Sequence, residues 1–168
     1  ELNKPMLTRR TAFSLTFAAC AGMMAFALYA EHVLELYPCP LCIFQRVAVI
    51  ALGLVALLAA VHNPQRNGAR AYGLVATLMG SAGVAIAARH VWLQNLPPDQ
   101  VPACGAGLNY MLATLPFTKV ISQVLTASGE CAEVSWRFLS LTMPTWVAIA
   151  MAALTLWVLI ASFALPKQ

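Results

Sequence analysis

Charge is what this chain has least of. Only 10% of its 168 residues are Asp, Glu, Lys or Arg, against about 25% in an ordinary soluble domain, and 61% are hydrophobic. That scarcity excludes a solvated globular surface. The net charge of +4 comes from basic residues scattered along the chain rather than gathered on one segment, so it gives no case for a nucleic-acid partner. A convincing cleavage site is also missing. Arg9-Arg10 stand before an apolar run as in a twin-arginine or cleaved signal, yet the run continues from Thr11 to Ala30, which predicts an uncleaved first span. Glu1 to Pro5 precede Met6 and are read as an appended remnant outside the fold.

Long apolar runs take the place of charge: Thr11 to Ala30, Val47 to Val61, Ala71 to Ala88 and Phe138 to Leu165. About twenty helical residues cross a hydrocarbon layer of roughly 30 Å. The pattern therefore predicts an all-α membrane protein, one integral domain over 1–168, with spans near 11–30, 43–61, 71–92 and 144–164 in a four-helix transmembrane bundle in the lipid bilayer. Lys4, Arg9, Arg10, Arg66, Arg70 and Lys167 fall on one side of these spans. Glu31, Glu35, Asp99, Glu130 and Glu133 fall on the other, with Lys119 and Arg137. Retention of positive charge predicts cytoplasmic termini and outward-facing loops over 31–42 and 93–143. Tyr29, Tyr37, Trp92, Trp136 and Trp146 gather near the outer boundary, as an aromatic belt does.

Four of the five cysteines lie in those outer loops. Cys39-Pro40-Leu41-Cys42 opens the second span, where Pro40 suits the first helical position and leaves Cys39 as the cap. Both sulfurs then sit at the positive end of the helix dipole, with Arg46 one turn deeper than Cys42, an arrangement that favours thiolates. A Cys-x-x-Cys pair also serves as a structural disulfide or half of a zinc site, but so small a loop stabilises by only about 2 kcal/mol. Arg46 lies just inside the membrane boundary, where a charge either snorkels or has a function. His90, in Arg89-His90-Val91-Trp92 at the end of the third span, reaches the same level as a ligand, a proton carrier or an interfacial hydrogen bonder. Cys20 falls mid-span and reads as an apolar filler.

Cys104 follows Pro97, Pro98 and Pro102 in an accessible, glycine-flanked context, and Cys131 lies late in the same loop. Between them, Tyr110 to Leu125 is apolar but carries Pro116 and Lys119. A crossing there would separate Cys104 from Cys131 across the membrane, so the stretch reads as a short interfacial amphipathic helix, with Val120, Ile121, Val124 and Leu125 on one face. Of three possible pairings, Cys39–Cys42 with Cys104–Cys131 keeps each disulfide within one loop. Two pairs, one exposed and one at the membrane, predict a relay that oxidises a soluble dithiol by exchange. The electrons would finish at Cys42, beside Arg46. A small lipophilic two-electron acceptor such as a membrane quinone fits that end, with Arg46 and His90 as candidate cofactor-binding residues and no metal required. The rival readings are a scaffold with two structural disulfides and a zinc site built from the four outer cysteines.

The chain resembles the DsbB family of inner-membrane disulfide-forming oxidoreductases. The resemblance is carried by Cys-Pro-Leu-Cys-Ile-Phe-Gln-Arg at 39–46, Arg89-His90, Cys104, Ser-Gly-Glu-Cys-Ala-Glu at 128–133 and Met143-Pro144. It implies an enzyme of the bacterial inner membrane with periplasmic redox loops, which reoxidises a thioredoxin-like DsbA-type thiol oxidase and passes electrons to the quinone pool, ubiquinone or menaquinone. By motif position Cys39 and Cys42 are the quinone-side catalytic pair, Cys104 and Cys131 the partner-side pair, and Arg46 and His90 quinone-associated residues. Gln45 stands where some relatives carry an acidic residue.

Overall fold

A computed structural model of the chain describes residues 7–126 and 129–166. Residues 1–5, with Lys4 among them, Lys167 and Ser128 of the 128–133 motif lie outside the described residues. Four long helices carry the architecture: α1 (Arg9–His32), α2 (Pro40–His62), α3 (Arg66–Gln94) and, after the long loop, α6 (Met143–Ala164). With 22 to 29 residues each, all four are long and apolar enough to cross a membrane. Each expected span lies inside one of them, and α1 and α3 run on into polar residues at their ends, such as Arg9, His32 and Arg66. Many large apolar side chains point away from the protein, among them Leu58, Val61 and Leu78, as they do where lipid is the solvent. The chain is a multi-pass membrane protein.

The helix ends follow from local chemistry. Thr8 caps α1 by accepting the Thr11 amide at 3.3 Å. Pro40 begins α2 with Cys39 as its cap, and Asn63 closes α2 in the left-handed region at φ 43°. The bundle closes as a ring, α1 beside α2, α2 beside α3, α3 beside α6 and α6 back on α1. Arg9 secures that last contact by donating from Nε to the Leu165 carbonyl at 2.6 Å. Small residues let α3 and α6 approach: Gly73 lies against Ser162, Gly80 against Thr155 and Gly83 against Met151. Cys20 is buried in the bundle core with Phe13, Val49 and Leu52, in the filler role expected of it.

The outer loop folds over the end of the bundle. The stretch expected as one amphipathic helix is two, α4 (Leu108–Thr114) and α5 (Phe117–Thr126), because Pro116 lacks the amide needed to continue a helix. Val120 and Val124 do share a face, and that face packs into the protein on Leu41 and Leu93, while Phe117 and Leu125 stay exposed. Arg89 holds this lid by donating to the Leu125 carbonyl at 3.1 Å. A 3₁₀ turn (Gly129–Ala132) then carries Cys131, and a short antiparallel hairpin, β1 (Arg137–Phe138) and β2 (Leu141–Thr142), leads into α6.

Candidate redox site

The site is assembled at the outer end of α2. Cys39 is the cap of α2 and Cys42 lies in its first turn, which brings the two sulfurs together at the helix end. The Cys39 thiol donates to the Cys42 sulfur at 3.1 Å. His90, buried near the end of α3, lies across the pair, with Nε2 3.8 Å from the Cys39 sulfur and Nδ1 4.0 Å from that of Cys42. Gln45, one turn along α2 and also buried, meets His90 Nδ1 through its amide nitrogen at 2.9 Å. Cys131 is fully buried in the outer core cluster, against which Cys39 packs.

Two clefts flank the pair. The larger, about 600 Å³, opens between α1, α2 and α6 and is lined by Cys42, Arg46 and a largely apolar wall that includes Phe26, Trp136, Phe138 and Trp146. Trp136 stacks on Phe138 with centroids 6.0 Å apart and meets Phe26 edge-on at 5.9 Å. Trp146 donates its indole hydrogen to the Phe138 carbonyl at 3.1 Å. The smaller cleft, about 420 Å³, lies on the other side of the helix end and includes Cys39, Asn109 and Glu130 in its lining.

The structure holds free thiols at all five cysteines, so neither the Cys39–Cys42 nor the Cys104–Cys131 disulfide is closed in it. The first pair is within easy reach of closure. In the second, Cys104 is exposed while Cys131 is buried and meets the Cys39 thiol. The stretches that carry them nonetheless meet, since a side chain at Gly129 would run into the Pro102 carbonyl.

The expected thiolate bias at Cys39 is reversed. The Cys131 thiol and burial together push the Cys39 pKa up to about 12, over the opposing contribution of Cys42. Arg46 does not relieve this, because its guanidinium is engaged by the Glu31 carboxylate and the Ala27 carbonyl on α1. Nor does His90 line the large cleft with Arg46. It stands behind the thiols, held by Gln45.

Sequence reasoning missed Glu31 as the partner of Arg46, Gln45 as the partner of His90, and the cleft role of Trp136 and Trp146. Glu31 was visible only as a negative charge near the boundary, and the tryptophans only as belt residues. Pairing them needs the α1–α2 and α1–α6 contacts, which a single sequence does not display.

A sequence profile described as "Disulfide bond formation protein DsbB" matches residues 9–161. The chain belongs to the DsbB family. It is 49% identical over 153 residues to disulfide bond formation protein B of Chromobacterium violaceum, covering 91% of this chain and 92% of that protein. The protein of the same description from Hahella chejuensis is 50% identical, covering 89% and 90%. That from Acinetobacter baylyi is 57% identical over 135 residues, covering 79% and 77%. DsbB membership and the four membrane-length helices agree with the thiol cluster: this is a membrane protein of disulfide bond formation.

Proposed function

We propose that this DsbB-family protein is a thiol:quinone oxidoreductase of the bacterial inner membrane, oxidising a soluble DsbA-type dithiol in the periplasm and delivering two electrons to a membrane quinone. The observation that carries the reading is the division of the Cys39–Cys42 pair between two environments. Cys42 shares an apolar cleft with Arg46 and five aromatic side chains, whereas Cys39 borders a cleft carrying Glu130 and Asn109. The lining of the larger cleft suits a lipophilic ring: its volume of about 600 Å³ and aromatic wall accommodate one, and Arg46 offers a cation at its polar end.

In this mechanism the resting chain carries disulfides at Cys39–Cys42 and Cys104–Cys131. The partner's thiolate attacks exposed Cys104, and Cys131 leaves as a thiolate. Cys131, already against Cys39, attacks it and expels Cys42. The partner's second thiol then resolves its bond to Cys104 and departs oxidised. Cys104 recloses on Cys131, leaving Cys39 and Cys42 as the dithiol. Quinone supplies the acceptor for the two electrons and two protons released as that dithiol recloses. Arg46 holds negative charge developing at the acceptor oxygen, and the aromatic wall excludes water. Orientation follows the positive-inside pattern, with both termini cytoplasmic and the redox loops periplasmic.

Anaerobic mixing of the purified protein with a reduced thioredoxin-like dithiol and ubiquinone, followed by quinone absorbance, tests this reading. Cys104→Ser is expected to abolish oxidation of the protein partner while leaving Cys39 and Cys42 able to react with quinone. Normal oxidation of the partner by that variant would refute the order of transfer.

A further inference from the structure

The reduced pair has a third donor beside it that disulfide exchange leaves unused. His90 is buried across the two sulfurs, and the ligating atoms of Cys39, Cys42 and His90 all lie within 4.8 Å of one another. Two thiolates and an imidazole form a donor set suited to a thiophilic d¹⁰ cation. We propose that the dithiol form of this protein binds one zinc-class ion through Cys39, Cys42 and His90, with Cys131 as the fourth donor, and that the bound ion holds the pair open. The zinc reading of the sequence used Cys104 instead; Cys104 is exposed and His90 takes its place in the cluster.

The distances require little movement. Zinc–sulfur bonds of about 2.3 Å and zinc–nitrogen bonds of about 2.0 Å in a tetrahedron place donors roughly 3.5–3.8 Å apart. His90 Nε2 is already 3.8 Å from the Cys39 sulfur. The two sulfurs, 3.1 Å apart, need to separate by roughly 0.7 Å, within the reach of small side-chain rotations at a helix end. Cys131 packs with Cys39 in the same buried cluster but lies outside the 4.8 Å group, so it supplies the third sulfur by a larger side-chain movement than the other donors need.

The surroundings suit a metal-bound imidazole. A ligating histidine generally presents its other ring nitrogen as a donor to a fixed acceptor, and Gln45 sits on Nδ1 at 2.9 Å. Turning the Gln45 amide over presents its oxygen to that N–H with the same heavy-atom positions. Entry is provided by the smaller cleft, which reaches Cys39 past the Glu130 carboxylate and the Asn109 amide. Binding releases the thiol protons and involves no change of oxidation state. A sulfur shared with the ion is not free to form an S–S bond, so metal loading and disulfide closure exclude each other.

The test uses full-length, fully reduced, quinone-free protein in detergent under anaerobic conditions, with zinc chloride, or cobalt chloride in its place, as the added probe. The dithiol form is expected to retain one zinc per chain after dialysis, and the oxidised form none. Cobalt substituted for zinc should show thiolate-to-cobalt charge transfer and intense tetrahedral d–d bands. His90→Ala is expected to weaken zinc binding at least tenfold and to alter the cobalt spectrum. Gln45→Leu, which leaves every ligand in place, should weaken it about tenfold. Cys20→Ser, remote from the cluster, should leave binding unchanged. Helix content by circular dichroism verifies that each variant folds, and Gln45→Leu decides the matter if His90→Ala does not. Zinc retention by the oxidised chain, wild-type affinity in His90→Ala and Gln45→Leu, or less than half a zinc per reduced chain would each overturn the proposal. None of these readouts depends on quinone turnover.

Discussion

Replacing Arg46 by alanine separates its two roles. Its guanidinium is held by Glu31, with the two side chains 21% and 25% exposed, and by the Ala27 carbonyl. An ion pair at that exposure is largely screened by solvent, so Arg46→Ala should leave the bundle folded with its helix content intact. Its effect on turnover should be far larger. Removing a charged donor aimed at a developing oxyanion costs about 2.7–4 kcal/mol, or roughly 10²- to 10³-fold in rate. Glu31→Gln supplies the contrast, because it keeps the cation and removes its competitor. Freeing the cation from so well screened a pair should tighten the acceptor interaction by no more than about fivefold. The assay is anaerobic stopped-flow quinone reduction from the pre-reduced protein at varied quinone concentration, with thermal unfolding in detergent alongside. Quinone dependence within about twofold of wild type in Arg46→Ala would refute the reasoning and return Arg46 to a snorkelling role.

Two further outcomes follow from the packing and from Cys39. With its pKa pushed up to about 12, Cys39 holds a thiolate fraction at pH 8 about a thousandfold below that of an ordinary thiol near 9, so iodoacetamide should modify it far more slowly than exposed Cys104. Because the shift is upward, Cys39 labelling should keep rising about tenfold per pH unit through pH 10, where an ordinary thiol has levelled off; mass spectrometry of the reduced protein should show this, and equal labelling of the two cysteines at pH 8 would contradict it. Gly80→Val drives a side chain into Thr155 across the α3–α6 contact and should destabilise the bundle by about 1–3 kcal/mol, read as earlier thermal loss of helix content.

The membrane architecture was legible because its signal is local. Arg9, Arg66 and the other charges stand just where the hydrocarbon would exclude them, so each span could be bounded within a few residues. Pro40 likewise announced the start of α2 and made Cys39 its cap, since the missing amide and the fixed φ of proline act on that spot alone. What escaped the sequence depends on which helix faces which. Glu31 lies fifteen positions before Arg46 on a different helix, and Gln45 is forty-five positions from His90. Neither interval has a periodic signature. The thiolate expectation at Cys39 failed for the same reason: dipole and cation were visible locally, whereas the Cys131 thiol and the burial that outweigh them arrive from a loop folded back over the bundle.

The spacing of the first cysteine pair gains a meaning from that fold. Cys39 stands outside the helix as its cap and Cys42 inside its first turn, with Leu41 between them fully buried in the outer core cluster. The end of α2 thereby acts as a partition, one sulfur bordering the cleft of Glu130 and the other the aromatic cleft of Arg46. On the proposed path, a disulfide at this helix end presents Cys39 to a thiolate arriving from the loop and Cys42 to an acceptor arriving from the membrane. On the proposed path, then, direction does not require a large difference in thiol acidity between the two cysteines. It is imposed by access, because the helix end blocks the shortcut from soluble thiol to lipophilic acceptor and leaves exchange through the pair as the open route.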